Sequence, residues 1–87
     1  MSHIILAGLD RQIDLQSNTV NGLRGAVDTI NTGMSTASEA ERSSMGMLLR
    51  MMTEKLSTAE RRLSALLEMR RVFLHEQEVA EWEASMS

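Results

Sequence analysis

Two methionines, Met47 and Met51, stand four residues apart in the stretch "MGMLLRMMTEKL", a spacing that puts both side chains on one face of a helix. Thioether sulfurs are soft ligands that suit Cu(I). The chain has no cysteine, however, and both histidines, His3 and His75, are distant in the sequence. We therefore expect these methionines to pack against protein, and no metal site is predicted.

Catalytic groups are equally hard to assemble from this sequence. His75 is flanked by Glu76 and Glu78, but a helical zinc site needs a second histidine four residues away, and none is present. Gly22 and Gly25, in "NGLRGA", lack the phosphate-binding loop pattern and a preceding strand. These glycines are expected to loosen a helix or to allow close helix approach. The sequence thus predicts no enzyme, no catalytic residue and no cofactor.

The overall charge argues against nucleic acid as a partner. With 12 acidic and 9 basic residues the net charge is −3, so no basic face should dominate the electrostatic field. The apolar stretch "IILAGL" near the N-terminus is too short to span a membrane, and no basic region precedes it. We expect a protein without a membrane span, either cytoplasmic or exported without a cleaved signal peptide as part of an assembly.

Length and composition indicate a small helical protein that associates. A chain of 87 residues forms one small domain and leaves much of its surface exposed after folding. Without cysteine it has no disulfide, so association is the expected source of added stability. Phe73 and Trp82 are the only aromatic residues, whereas Ala, Leu, Met, Glu and Arg favour helices. The predicted fold class is all-α and oligomeric.

Two heptad patterns locate the helices. The first seam has seven apolar residues among its eight positions: Leu9, Ile13, Gln16, Val20, Leu23, Val27, Ile30 and Met34. The second seam has nine apolar residues among eleven positions: Met45, Leu49, Met52, Leu56, Ala59, Leu63, Leu66, Arg70, Phe73, Gln77 and Ala80. When the first seam is continued it reaches Leu48 and is one residue out of phase with the second. The two seams therefore belong to different helix faces.

A turn between the seams would fold the chain into a two-helix antiparallel coiled-coil hairpin. Gly33 can adopt the left-handed conformation that ends a helix, and Thr36 or Ser38 can cap the next one, each with a glutamate three residues later. The prediction is one domain over 1–87, with helix 1 at about 4–32, a turn at about 33–38 and helix 2 at about 38–84. One continuous long helix and a domain-swapped pair of chains are the alternatives.

The arms of this hairpin are unequal, so the longer second helix should overhang. Folding about the turn puts Leu9 beside residues 61–63. Helix 1 then ends opposite residue 68, and the rest of helix 2 has no partner in the hairpin. Beyond that point the seam contains Arg70 and Gln77, polar residues that can set register or partner choice in a helical assembly. We therefore expect the partner to bind through helix 2.

Apolar residues outside the seams are the candidates for that contact. The outer stripe of helix 2 comprises Leu48, Met51, Ala65, Met69, Val72 and Val79. A helix with two apolar stripes touches more than one neighbour. The predicted partner-binding residues are Ile4, Ile5, Met47, Met51, Met69, Val72, Phe73, Leu74, Val79 and Trp82.

These observations favour a protein-protein interaction or assembly protein that binds itself or a heterologous protein, as a homo-oligomer or hetero-oligomer. It would be a structural subunit of a helical oligomer or a small co-chaperone-like adaptor. The architecture resembles, in shape class, the helical hairpins of bacterial secretion needles and their co-chaperones, and minor structural proteins of viruses. The alternative is a small helical regulator that binds and occludes a toxin, a transcription factor or an enzyme.

Overall fold

The chain folds into two antiparallel helices. The structure, a computed structural model, describes residues 2–86, with side-chain exposures for residues 3–86. Helix α1 is Ser2–Met34 and helix α2 is Glu39–Met86. The molecule measures 72 × 16 × 14 Å, and its long dimension matches 48 residues of α2 at about 1.5 Å per residue. The predicted all-α hairpin with a longer C-terminal arm is confirmed, and the single continuous helix is excluded.

The two heptad seams face each other, as their spacing predicts. All the positions of the first seam, and all those of the second except Ala80, are at least partly shielded from solvent. Burial is deepest at Val20, which is 1% exposed, and at Ala59, which is 4% exposed. The amide of Gln16, the polar exception in the first seam, donates a hydrogen bond of 3.1 Å to the Ala59 carbonyl oxygen. A small residue in α2 thus lets a side chain of α1 reach its backbone.

The start of α2 is capped by Ser38, one of the two predicted residues. The Ser38 hydroxyl accepts a hydrogen bond of 3.3 Å from the Glu41 backbone N–H. This contact satisfies a donor that the first turn of a helix leaves without an intrahelical partner. Thr36 instead donates through its hydroxyl to the Gly33 carbonyl, at 3.3 Å, and so contributes to the end of α1.

The prediction that Gly33 ends α1 in a left-handed conformation was wrong. No described glycine has a positive φ, and α1 continues through Gly33 to Met34. Hydrogen bonds from side chains supply the C-cap instead, since Arg42 Nε donates to the Met34 carbonyl oxygen at 3.2 Å. Gly33 instead packs closely against α2, because a Cβ there would lie 2.8 Å from the Met45 Cε atom and would have to displace it.

Gly22 and Gly25 do not mediate close helix approach. A Cβ atom added at either position would meet nothing within 4 Å. Both glycines lie on the exposed side of α1, outside the first seam. Of the two predicted roles, only the loosening of the helix is compatible with this geometry.

The register of the hairpin differs from the prediction by roughly two helical turns. Leu9 shares a groove with Met69 and Phe73, and Asp10 forms an ion pair with Arg70. The prediction folded the chain symmetrically about the turn, but Gly33 already lies opposite Met45, so the connection consumes the first turns of α2. The overhang therefore begins beyond Glu76, and Arg70 has a partner inside the hairpin.

Candidate interaction surface

Large apolar side chains lie on the outside of the hairpin. Of the ten predicted partner-binding residues, eight are exposed: Ile4, Ile5, Met47, Met51, Met69, Val72, Val79 and Trp82. Ile4 is 77% exposed and Trp82 is 62% exposed, values that leave most of each side chain in water. Every residue of the outer stripe is exposed as well. The hairpin alone does not bury these residues.

Phe73 and Leu74 differ from the other eight predicted residues because both are half-buried. Phe73 belongs to the second seam and faces α1, where it lines a groove with Leu9 and Ile5. Part of the predicted surface is thus an internal contact. The register explains this result, since α1 extends farther along α2 than the symmetric fold predicted.

The groove that contains Phe73, the apolar groove, lies at the open end of the hairpin. It has a volume of about 390 Å³. Its lining is apolar apart from two glutamates, and consists of Ile5, Leu9, Glu68, Met69, Val72, Phe73 and Glu76. Because both helices contribute, the groove depends on the observed register. A groove of this kind has room for an apolar side chain, and its two carboxylates favour a cation beside that side chain.

A second groove, the polar groove, lies farther towards the turn. It has a volume of about 710 Å³ and mixes apolar with charged residues: Gln16, Thr19, Leu23, Met51, Glu54, Lys55, Thr58, Ala59 and Arg62. Its floor is at the buried Ala59, where a small side chain leaves space between the helices. The heptad pattern alone does not predict this groove, although an alanine at position 59, between leucines of the second seam, is a signal for it.

Ion pairs connect the helices at two places. Arg70 Nε donates to Asp10 Oδ1 at 2.7 Å, and Arg24 lies 3.9 Å from Glu60. A third pair lies within α2, where Arg71 Nε donates to a carboxylate oxygen of Glu68 at 3.0 Å. This hydrogen bond and the charge of Arg71 hold the pKa of Glu68 below its usual value of 4.5.

The two residues that first suggested chemistry are both at the surface. Met47 is 69% exposed and Met51 is 55% exposed, and Met51 lines the polar groove. His75 is also exposed. Within residues 2–86, no three histidine, aspartate or glutamate side chains come together in a group able to hold a metal ion.

Three further exposed large apolar residues belong neither to the ten predicted contacts nor to the outer stripe. Leu15 is 53% exposed, Leu67 is 48% exposed and Met86 is 68% exposed. Leu15 and Leu67 lie next to seam positions but face outwards, so the heptad pattern of the seams does not include them. Their position off both seams was the available signal.

Comparison of this chain with protein-family models, with curated proteins and with solved structures gave no match. In the part of the chain that the structure describes, neither helix has an apolar stretch long enough to cross a membrane.

Proposed function

We propose that this protein is a non-enzymatic assembly protein, either a structural subunit of a helical oligomer or a small co-chaperone-like adaptor. The observation that carries this proposal is the mismatch between its few buried side chains and its many exposed large apolar ones. Val20 and Ala59 are the buried residues among those described. Soluble monomers rarely leave an extended apolar surface uncovered, and such surfaces mark binding sites.

The accessible surface supports the same proposal. The chain exposes 6726 Å². A compact monomer of 9.7 kDa is expected to expose about 5,100 Å². The excess of about 1,600 Å² exceeds the roughly 800 Å² that each partner contributes to a standard interface. A hairpin of this shape therefore has area available for a stable contact without refolding.

The open end of the hairpin is the part of this surface best suited to a partner. It combines the apolar groove with the overhang, residues 77–86 of α2, which projects about 15 Å past the start of α1. Trp82 lies on the overhang, and tryptophan is enriched among the residues that dominate binding energy. Glu81 and Glu83 also stand near the C-terminus of α2, where carboxylates oppose the helix dipole. A partner that places cations beside these carboxylates would stabilise this end of α2.

Light scattering coupled to size exclusion, over a concentration series and with circular dichroism on the same samples, tests the proposal. We expect a strongly helical dimer or larger species that persists on dilution to micromolar concentration. A strongly helical chain that stays monomeric at millimolar concentration would contradict the structural-subunit form. A poorly helical monomer would instead indicate a heterologous partner, as the adaptor form and the regulator alternative both require.

A further inference from the structure

A charge pattern runs along the outer side of α2 with a period of seven residues. Its five members, the charge ladder, are Lys55, Arg62, Met69, Glu76 and Glu83. All five are exposed. The first two line the polar groove and the next two line the apolar groove, so the ladder passes both grooves. None of its four charged side chains forms an ion pair with another of the described residues.

The ladder is antisymmetric about its central methionine. Arg62 and Glu76 each stand seven residues from Met69, about 10 Å along the helix in opposite directions. Lys55 and Glu83 each stand fourteen residues away, about 21 Å. Reversal of the helix about Met69 therefore exchanges every cation with an anion at the same height. Residues at corresponding heights on antiparallel helices are those that meet across an interface.

We propose that the partner of this surface is a second copy of the same chain, docked antiparallel along α2 with a two-fold axis near Met69. This inference rests on the proposed assembly function and names its partner. Such a contact is self-complementary, because each copy presents the same patch to the other. Arg62 of one copy faces Glu76 of the second, and Lys55 faces Glu83. An in-register parallel pair would put like charges together at all four positions, which costs affinity.

The apolar residues fit the same arrangement. Met69 and Val72, from the apolar groove, lie at the two-fold axis, where an interface is most fully desolvated. Val79 on the overhang reaches the height of Ala59 in the second copy, which is the floor of the polar groove. Each overhang is thereby covered by the middle of the other chain. The exposed area of the hairpin is sufficient, since a standard interface takes about 800 Å² from each partner.

Charge exchange on the ladder tests this proposal. An all-acidic ladder is made by Lys55→Glu with Arg62→Glu, and an all-basic ladder by Glu76→Arg with Glu83→Lys. Each variant alone places like charges opposite each other in the antiparallel dimer, whereas a mixture of the two restores every pair. All four positions are exposed, so the hairpin should keep its helicity, which circular dichroism checks. The matched control for the all-basic ladder is Asp14→Arg with Asp28→Lys, which changes the net charge equally at two exposed positions of α1, away from the ladder and the overhang.

Sedimentation equilibrium at low salt gives the readout. We expect each ladder variant to self-associate on the order of 100-fold more weakly than the unaltered chain. The equimolar mixture should form a one-to-one heterodimer, and the control should behave like the unaltered chain. Two results would overturn the antiparallel dimer: ladder variants that dimerise as well as the unaltered chain, or a mixture that fails to associate.

These outcomes also separate this inference from the assembly function on which it rests. If the unaltered chain and the ladder variants all associate equally well, the assembly function is kept and this interface is rejected. An unaltered chain that remains a helical monomer at millimolar concentration would reject both the dimer and the structural-subunit function.

Discussion

The inner and outer sides of α2 both carry apolar and charged residues, but only those on the inner side have partners in α1. On the second seam even the polar Arg70 has a partner, because Asp10 of α1 lies 2.7 Å from its guanidinium. On the outer side, apolar residues such as Met69 stay in water, and none of the four ladder charges has an ion pair among the described residues. The difference teaches that the charged residue of the seam is paired within the hairpin, whereas the charges of the ladder are not and remain available to the second copy proposed above.

The largest effect should come from a charge at the closest packing of the seams. Val20→Asp places a carboxylate at a position that is 1% exposed. Burial of a charge without a partner is among the most destabilising changes a protein can suffer, so we expect a loss of about 4 kcal/mol or complete unfolding. Urea denaturation followed by circular dichroism measures this loss.

Asn21→Asp is the matched control for Val20→Asp. It introduces the same carboxylate one residue away, on the exposed side of α1. Its effect should lie within about 0.5 kcal/mol of zero. If both variants lost stability equally, the seam would not hold the hairpin together, and the contrast between the two sides would fail.

The two aromatic residues, both predicted to bind a partner, should have different effects when each is replaced by alanine. Phe73→Ala removes a half-buried side chain from the apolar groove and should destabilise the hairpin by about 2 kcal/mol. Trp82→Ala removes a side chain that is 62% exposed, so the stability of the monomer should change little while association weakens. Urea denaturation at low concentration and sedimentation at high concentration resolve the two effects.

Equal destabilisation of the dilute monomer by both aromatic substitutions would contradict this assignment, because it would place Trp82 in the fold. Loss of association by Phe73→Ala alone, with Trp82→Ala behaving like the unaltered chain, would remove the overhang from the interface.

The sequence predicted the fold class and both seams because heptad spacing depends only on local helix geometry. It placed the cap at Ser38 among two choices because hydroxyl caps are also local. It missed the register, since the number of residues consumed by the turn depends on how Gly33 packs against Met45 in three dimensions. That error moved Arg70 from the hairpin to the overhang.

The exposure of the candidate residues was predictable from heptad spacing, as the seams were. Residues off the seams, such as Met51 and Met69, must face outwards once the seams face each other, and the exposures agree. The grooves were not predictable, because each requires residues of both helices at one height. Phe73 was assigned to the outside only because the predicted register left it without a partner in α1.

A smaller change in stability is expected when alanine replaces a glycine on the outer side of α1, at Gly22, or on its inner side, at Gly33. Gly22→Ala adds a methyl group where nothing lies within 4 Å, so we expect a gain of about 1 kcal/mol from helix propensity. Gly33→Ala should gain less, since its Cβ would lie 2.8 Å from the Met45 Cε atom and must displace it. Thermal denaturation of both variants provides the comparison. An equal gain at both positions would show that Met45 yields without cost, and a larger gain at Gly33 would contradict the observed contact.

The smallest effect expected is the coupling between Asp10 and Arg70. Each side chain remains partly exposed, at 49% and 40%, so solvent screens the pair and a coupling of about 0.5 kcal/mol is expected. A double-mutant cycle with Asp10→Asn and Arg70→Gln measures it in urea, and 1 M salt should reduce it.

The pair between Glu68 and Arg71 is the control for that cycle, because it lies within α2 and connects no second element. Removal of its partner by Arg71→Gln should raise the pKa of Glu68 towards 4.5 without any change in the register of the helices. The interhelical pair differs in this respect: a shifted register would separate Asp10 from Arg70. A coupling of zero between Asp10 and Arg70, with the Glu68 pKa responding as expected, would therefore mean that this ion pair does not contribute to fixing the register.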